Sequence, residues 1–151
     1  GIIPDSIFHL PNLETLHLQN NFQLSGYFPK TKWNCSASLM DLYLDHVNFP
    51  GNFLPESLGF LTSLHYLSLE NCSLRGPFPE SLSNLTHLEY LDLGWNFLNG
   101  TIPSGMFSLP SLRLFDLNDN YFSGNLPESL GYQTSLHSLN LKNGSLRGPI
   151  P

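Results

Sequence analysis

Carboxylates and aromatic side chains recur through this sequence at intervals that would gather them on one surface if the chain folded with a constant period. Asp41, Asp45, Glu70, Asp92, Asp116 and Asp119 are interleaved with Tyr43, Tyr66, Tyr90 and Trp95, and His17 precedes them. Such a set suits recognition rather than bond-making: unpaired carboxylates attract cationic groups, and tyrosine and tryptophan rings offer rigid apolar area with a polar edge. Bond-making finds no comparable pattern. The six histidines and many serines and aspartates permit a triad on paper, but there is no GxSxG elbow, HExxH pair or phosphate-cradling glycine loop. No catalytic residue is assigned, and neither a cofactor nor a metal is expected. His17 and His46 can approach across neighbouring strands, yet solvated surface histidines explain them without an ion.

Bulk composition narrows the partner. The 151 residues suffice for one domain with a sizeable core, and residues 1–151 read as a single array. A net charge of -6 argues against nucleic acid or an anionic membrane surface, both of which need clustered Lys and Arg. No apolar run approaches the roughly 18 residues of a membrane span, and no secretory leader opens the chain. Cys35 and Cys72 are the only cysteines, too few for a disulfide framework or a CxxC metal site.

The elements that must position these residues follow a ruler. The phrase-ending prolines are Pro4, Pro29, Pro55, Pro79, Pro103, Pro127 and Pro151, spaced by 25, 26, 24, 24, 24 and 24 residues, and Leu13, Leu39, Leu64, Leu88, Leu112 and Leu136 keep the same period. The unit reads LxxLxLxxNxLxGxIPxxLxxLxx, and its best copy is LEYLDLGWNFLNGTIPSGMFSLPS, residues 88 to 111. The period-two LxL predicts one short half-buried strand per turn, and stacked turns predict a parallel sheet on the inner curve of a solenoid. Gly and Pro of GxIP turn and fix the exit, and the following LxxL predicts a short helical or extended segment on the outer side. The Asn of the unit turns inward, where its amide can satisfy backbone groups of adjoining coils. Asn21, Asn96 and Asn120 fit, whereas Val47, Cys72 and Gly144 predict an interrupted ladder.

This unit, with GxIP in its copies, resembles the plant-specific class of extracellular leucine-rich repeats, found in receptor-like kinases, receptor-like proteins and polygalacturonase inhibitors. The fold implied is an α/β-type leucine-rich-repeat solenoid of about six 24-residue repeats, with the parallel sheet concave and short 3-10 or extended segments convex. The stretch FPKTKWNCSASLMDLYLDHVNF, residues 28 to 49, resembles the Cf-type receptor-like proteins with which nightshade plants detect leaf-mould effectors. Membership would imply a ligand-binding ectodomain on the extracellular face of the plasma membrane, one membrane helix and a short tail, with signalling through a partner or co-receptor kinase. The paired-cysteine caps of such solenoids are missing, and both ends fall at one phase of the repeat, which predicts an interior slice of a longer receptor. A kinase-bearing receptor for an endogenous peptide and a secreted polygalacturonase inhibitor are the alternatives.

On that fold the eleven residues named at the outset face outward from the inner sheet. Glu14 and Glu89 join them at the strand entrances, and only Arg113 and Lys142 oppose the charge. The surface is read as acidic and aromatic, centred on Tyr43, Tyr66, Tyr90, Trp95 and Asp92, and suited to a polypeptide of basic character. Asparagine-x-Ser/Thr acceptors stand at Asn34, Asn71, Asn84, Asn99 and Asn143. Asn84 and Asn99 are placed away from the inner sheet as glycan carriers, while Asn71 and Asn143 are placed at its rim. Residues 30 to 38 break the repeat, and Trp33 is expected to plug the gap left by a missing leucine. Cys35 and Cys72 are expected to remain unpaired thiols.

Overall fold

The computed structural model describes residues 1–30, 33 and 37–151. Each leucine phrase becomes a three-residue strand laid parallel against the same phrase of the neighbouring coils. Strands β1 (Thr15–His17), β2 (Asp41–Tyr43), β3 (Tyr66–Ser68), β5 (Tyr90–Asp92), β7 (Leu114–Asp116) and β9 (Ser138–Asn140) form one parallel sheet in that order. Their register is direct: Leu16, Leu42, Leu67, Leu91, Phe115 and Leu139 lie side by side at the centre of successive strands. The first five of these are buried, and with the flanking columns they make one continuous core. Each such leucine contributes about 1.5–3 kcal/mol on leaving water. Where phenylalanine replaces leucine at position 115, its ring is accommodated against Phe107 at 5.6 Å and Phe78 at 6.4 Å. The apolar columns are thinly covered toward both ends, with Leu13, Leu18, Leu136 and Leu141 only partly buried.

A second sheet departs from the expectation of a simple turn at GxIP. Strands β4 (Arg75–Pro77), β6 (Phe97–Thr101), β8 (Tyr121–Asn125) and β10 (Ser145–Arg147) form a four-stranded parallel ladder. Alternation explains it: in β6 and β8 the buried Leu98 and Phe122 sit between exposed neighbours, a period-two pattern in the x-L-x of each repeat. Gly76, Gly100, Gly124 and Gly148 then take a left-handed φ of 75 to 84°, which bends each strand toward its proline.

Among the described residues, five 3-10 helices cross the outer side: η1 (Asp5–His9), η2 (Glu56–Phe60), η3 (Glu80–Asn84), η4 (Ser104–Ser108) and η5 (Glu128–Tyr132). A proline precedes each and its carbonyl starts the turn, as where Leu58 N donates to Pro55 O at 3.0 Å and Met106 N to Pro103 O at 3.1 Å. Adjacent coils approach closely here. A Cβ on Gly59 would stand 2.5 Å from Ser81 O, so η2 tolerates no side chain at that point. After Pro29 the described residues hold no such helix. Trp33 fills the space instead: it is 1% exposed, its ring lies 4.9 Å from Phe8 and 6.1 Å from Phe28, and its Nε1 donates to Ser57 Oγ at 3.0 Å. Cys35 and the acceptor Asn34 lie outside the described residues.

The asparagine ladder is built as expected at two rungs and differs at a third. Asn96 is 4% exposed. Its Oδ1 accepts from Cys72 N and Leu74 N, both at 3.0 Å, and its Nδ2 donates to the carbonyls of Leu69, Leu93 and Gly94. Asn120 accepts from Leu98 N and donates to Leu93 O. At the outermost rung Asn21 reaches only carbonyls of its own coil, Leu18 O and Gln19 O. Cys72, expected as a gap, is a working rung: its thiol lies 3.1 Å from Leu44 O, the carbonyl of the preceding coil, and 3.4 Å from Glu70 O. A thiol cannot supply the strong acceptor that the amide does. Accordingly Val47 N turns to its own Leu44 O and Phe49 N to the backbone Cys72 O. Cys72 is an unpaired thiol, and burial pushes its pKa well up, so it stays protonated.

Candidate ligand-recognition face

Two rows of side chains project from the inner sheet because alternate strand residues point away from the core. Cross-strand register sets Thr15, Asp41, Tyr66, Tyr90, Leu114 and Ser138 in one row and His17, Tyr43, Ser68, Asp92, Asp116 and Asn140 in the other. The tyrosines of the two rows meet. Tyr43 and Tyr90 approach to 6.4 Å between ring centroids diagonally across β3, where small Ser68 stands between them, and Tyr66 and Tyr90 are likewise 6.4 Å apart. His17 packs edge-on against Tyr43 at 4.7 Å and holds its Nε2 4.0 Å from Asp41 Oδ2. Tyr66 O–H donates to Glu89 Oε2 at 3.3 Å.

Several carboxylates have a structural duty besides their charge. Asp92 Oδ1 accepts from Gly94 N and Asp116 Oδ1 from Asn118 N, each at 2.9 Å, and Asn140 repeats the bond to Lys142 N. The residue between the two leucines therefore caps the turn that follows its own strand. Asp45 accepts from Ser68 Oγ and from Glu70 N, tying β2 to the next coil. Asp116 Oδ2 also accepts from Asn140 Nδ2 at 3.0 Å. Among the described residues, no lysine or arginine lies within salt-bridge distance of Asp41, Asp45, Glu70, Asp92 or Asp116.

The crowding shows in the acid–base properties. Burial, with Asp116, Glu70 and Asp45 nearby, pushes the Asp92 carboxyl up to about 6 against the opposing pull of Gly94 N–H. Burial and neighbouring carboxylates push Tyr90 up to about 12, and Tyr43 is raised for the same reasons. Tyr66 is raised chiefly by Glu89. A carboxyl that is harder to ionise in the folded state costs stability wherever it is charged. The molecule is thus least burdened below pH 4 and carries the full cost above pH 6. Asp92→Asn keeps the acceptor for Gly94 and removes the charge. Urea unfolding at pH 7.5 should find this variant about 1–2 kcal/mol more stable, a figure reduced for solvent screening of a half-buried group, and at pH 4 the gain should vanish. A gain equal at both pH values would contradict the electrostatic origin.

Trp95 and Asp119 fall elsewhere than expected. Asn20, His46, Asn71, Trp95, Asp119 and Asn143 occupy the turn beyond the strands with φ between 52 and 64°. That conformation suits Asn and Asp and strains a tryptophan by about 1–2 kcal/mol. The signal was present in the sequence, since most copies carry a residue type that tolerates the left-handed region. Trp95 makes no ring contact with the tyrosines. Exposed at 56%, it lines a groove of about 350 Å³ with Phe97, Tyr121, Asp119, Asn71 and Asn143. Asp119 accepts there from Asn118 Nδ2 at 2.6 Å and from Asn143 Nδ2 at 2.7 Å. The candidate face is therefore centred on the cluster of Tyr43, Tyr66, Tyr90 and Asp92, while Trp95 lies in the turn that borders the groove. His17 and His46 do not converge, because His46 lies in the turn against Phe22 and Asn71. Asn71, Asn84, Asn99 and Asn143 are all exposed, with Asn84 at the end of η3 and Asn99 on β6.

A family model described as leucine rich repeat matches residues 62–122. The match agrees with the leucine-rich-repeat solenoid that the fold displays. In sequence the chain is similar to the Cf-9 type of receptor-like protein. It is 56% identical over 64 residues to receptor-like protein Cf-9 of Solanum pimpinellifolium, covering 42% of this chain and 7% of that one. It is 49% identical over 77 residues to receptor-like protein 9DC1 of the same species, covering 51% and 9%. The chain thus spans less than a tenth of these relatives. Among solved structures, the Arabidopsis receptor kinase HAESA ectodomain, determined with a peptide hormone ligand, superposes with a TM-score of 0.93 at 42% identity, over 99% of this chain and 25% of that one. A TDR receptor gives 0.90 at 33%, over 99% and 26%.

Proposed function

We propose that this chain forms part of the extracellular recognition surface of a plant immune receptor and that its concave face binds a pathogen-derived protein or peptide of basic character. One observation carries the reading. A cluster of tyrosines stands among carboxylates that no described lysine or arginine neutralises, crowded enough to raise Asp92 and the tyrosines together. A cationic side chain entering there relieves that repulsion and gains ring contact at once. Similarity to Cf-9-type receptor-like proteins favours defence, and a membrane-anchored receptor working with a co-receptor kinase is the corresponding assembly. The HAESA structure with its peptide hormone and the co-receptor SERK1 favours a second reading, perception of an endogenous plant peptide. Leaves expressing the full-length protein, challenged separately with secreted proteins of leaf pathogens and with the plant's own apoplastic peptides, distinguish the two. A response to the pathogen fraction that is lost in Tyr43→Ala/Tyr66→Ala/Tyr90→Ala is expected. A response to the endogenous fraction alone, or one untouched by the triple variant, would overturn the proposal.

A further inference from the structure

The outer face of the second sheet carries an aromatic ledge that the recognition face does not use. Phe97 and Tyr121 are 46% and 60% exposed, their rings lie 6.4 Å apart and 16° from parallel, and Arg75 stands over Phe97 at 5.4 Å, propping it from the other side. Two exposed rings held in register on a rigid sheet are costly unless something covers them. The sheet itself supplies a covering group. Asn99 is two residues beyond Phe97 and so projects from the same face of β6, and its cross-strand partner is Tyr121. Thr101, which completes the acceptor Asn-Gly-Thr, projects from that face as well.

We propose that Asn99 carries an N-linked oligosaccharide whose first N-acetylglucosamine rests against the Phe97–Tyr121 ring pair, closing the outer face of the second sheet. The ring faces carry negative quadrupole charge, and the axial C–H groups of a pyranose are weakly positive, so sugar and ring attract while both lose apolar contact with water. Asn99 is better prepared than its fellow acceptors. The amides of Asn71 and Asn143 are engaged with His46 and Asp119, whereas that of Asn99 is exposed and makes no hydrogen bond among the described residues. Asn84 is exposed on the outer side, but no aromatic ring shares a strand face with it. Attachment joins Asn99 Nδ2 to the anomeric carbon of a lipid-diphosphate-linked oligosaccharide. The carbon–oxygen bond to the diphosphate breaks, the departing diphosphate keeps the electron pair, and one Nδ2 proton passes to the transferase.

The proposal rests on the extracellular reading, and the test separates the two. The full-length protein purified from plant cells is digested for glycopeptide mass spectrometry, and hydrogen exchange is followed in β6 and β8. Asn99 should be occupied. Removing the acceptor with Thr101→Ala should speed exchange in β6 and β8 about two- to tenfold, the size of effect one aromatic contact gives, and should have no such effect in a Phe97→Ser/Tyr121→Ser background. An unoccupied Asn99 beside an occupied Asn84 would overturn the proposal and leave the extracellular reading standing. Absence of glycan at every acceptor would overturn both. An equal change with and without the rings would show a glycan that does not dock.

Discussion

Asn96→Ala is expected to lower stability by roughly 3–4 kcal/mol, although it removes no apolar contact and touches no ligand position. Alanine would leave Cys72 N and Leu74 N without an acceptor and Leu69 O without a donor, all in the interior between two coils, and would take one of two donors from Leu93 O and Gly94 O, which keep Asn120 Nδ2 and Asn71 N. Each buried group left unmatched costs about 1–3 kcal/mol, and an entering water recovers part of the total. The loss should be local at first, because neighbouring coils in a solenoid hold one another by nearest-neighbour contact. Hydrogen exchange at the Cys72 and Leu74 amides should accelerate before the outer helices open. Cys72→Ser gives the comparison, since a hydroxyl still donates to Leu44 O and should cost under about 1 kcal/mol. A change below 1 kcal/mol for Asn96→Ala would mean that water satisfies these groups equally well.

The second large effect concerns binding. Tyr43, Tyr66 and Tyr90 form one continuous ring cluster across β2, β3 and β5, so removing all three should weaken ligand binding about 100-fold, as expected for central aromatic anchors. Trp95→Ala should change it by less than about threefold, because Trp95 stands in the turn on the flank of the sheet rather than among the tyrosines. This contrast tests the placement itself. On a sequence-only reading, Trp95 belongs to the same patch and its loss would be as severe.

What could be read from the residues and what could not divides along physical lines. The leucine columns were legible because burial of one side of every strand imposes strict period-two spacing, and the repeat multiplied that signal. Asn96 and Asn120 were legible because a polar side chain at an inward position must find backbone partners. The second sheet was hidden by composition: Arg75-Gly76-Pro77 and Phe97-Leu98-Asn99-Gly100-Thr101 contain residues that strands avoid, and pairing with neighbouring coils overrides that preference. Cys72 was discounted because a thiol is a weak donor, yet its position beside Leu44 O and Glu70 O gives it two acceptors within reach. Trp33 was readable from the gap in the leucine pattern. The charges of the inner-sheet surface were legible as a set, but the turn-capping bonds of Asp92 and Asp116 depend on local backbone geometry that spacing alone does not convey.

Selection of a random peptide library on the full-length protein measures the character of the concave face most directly. Enriched peptides should carry net positive charge, bind more weakly as salt rises, and lose about 100-fold in affinity to Tyr43→Ala/Tyr66→Ala/Tyr90→Ala, with a further loss to Asp41→Asn/Glu70→Gln/Asp92→Asn. Enrichment of acidic or neutral peptides, or basic peptides that bind these variants as tightly as the parent, would contradict an acidic tyrosine face as the recognition surface.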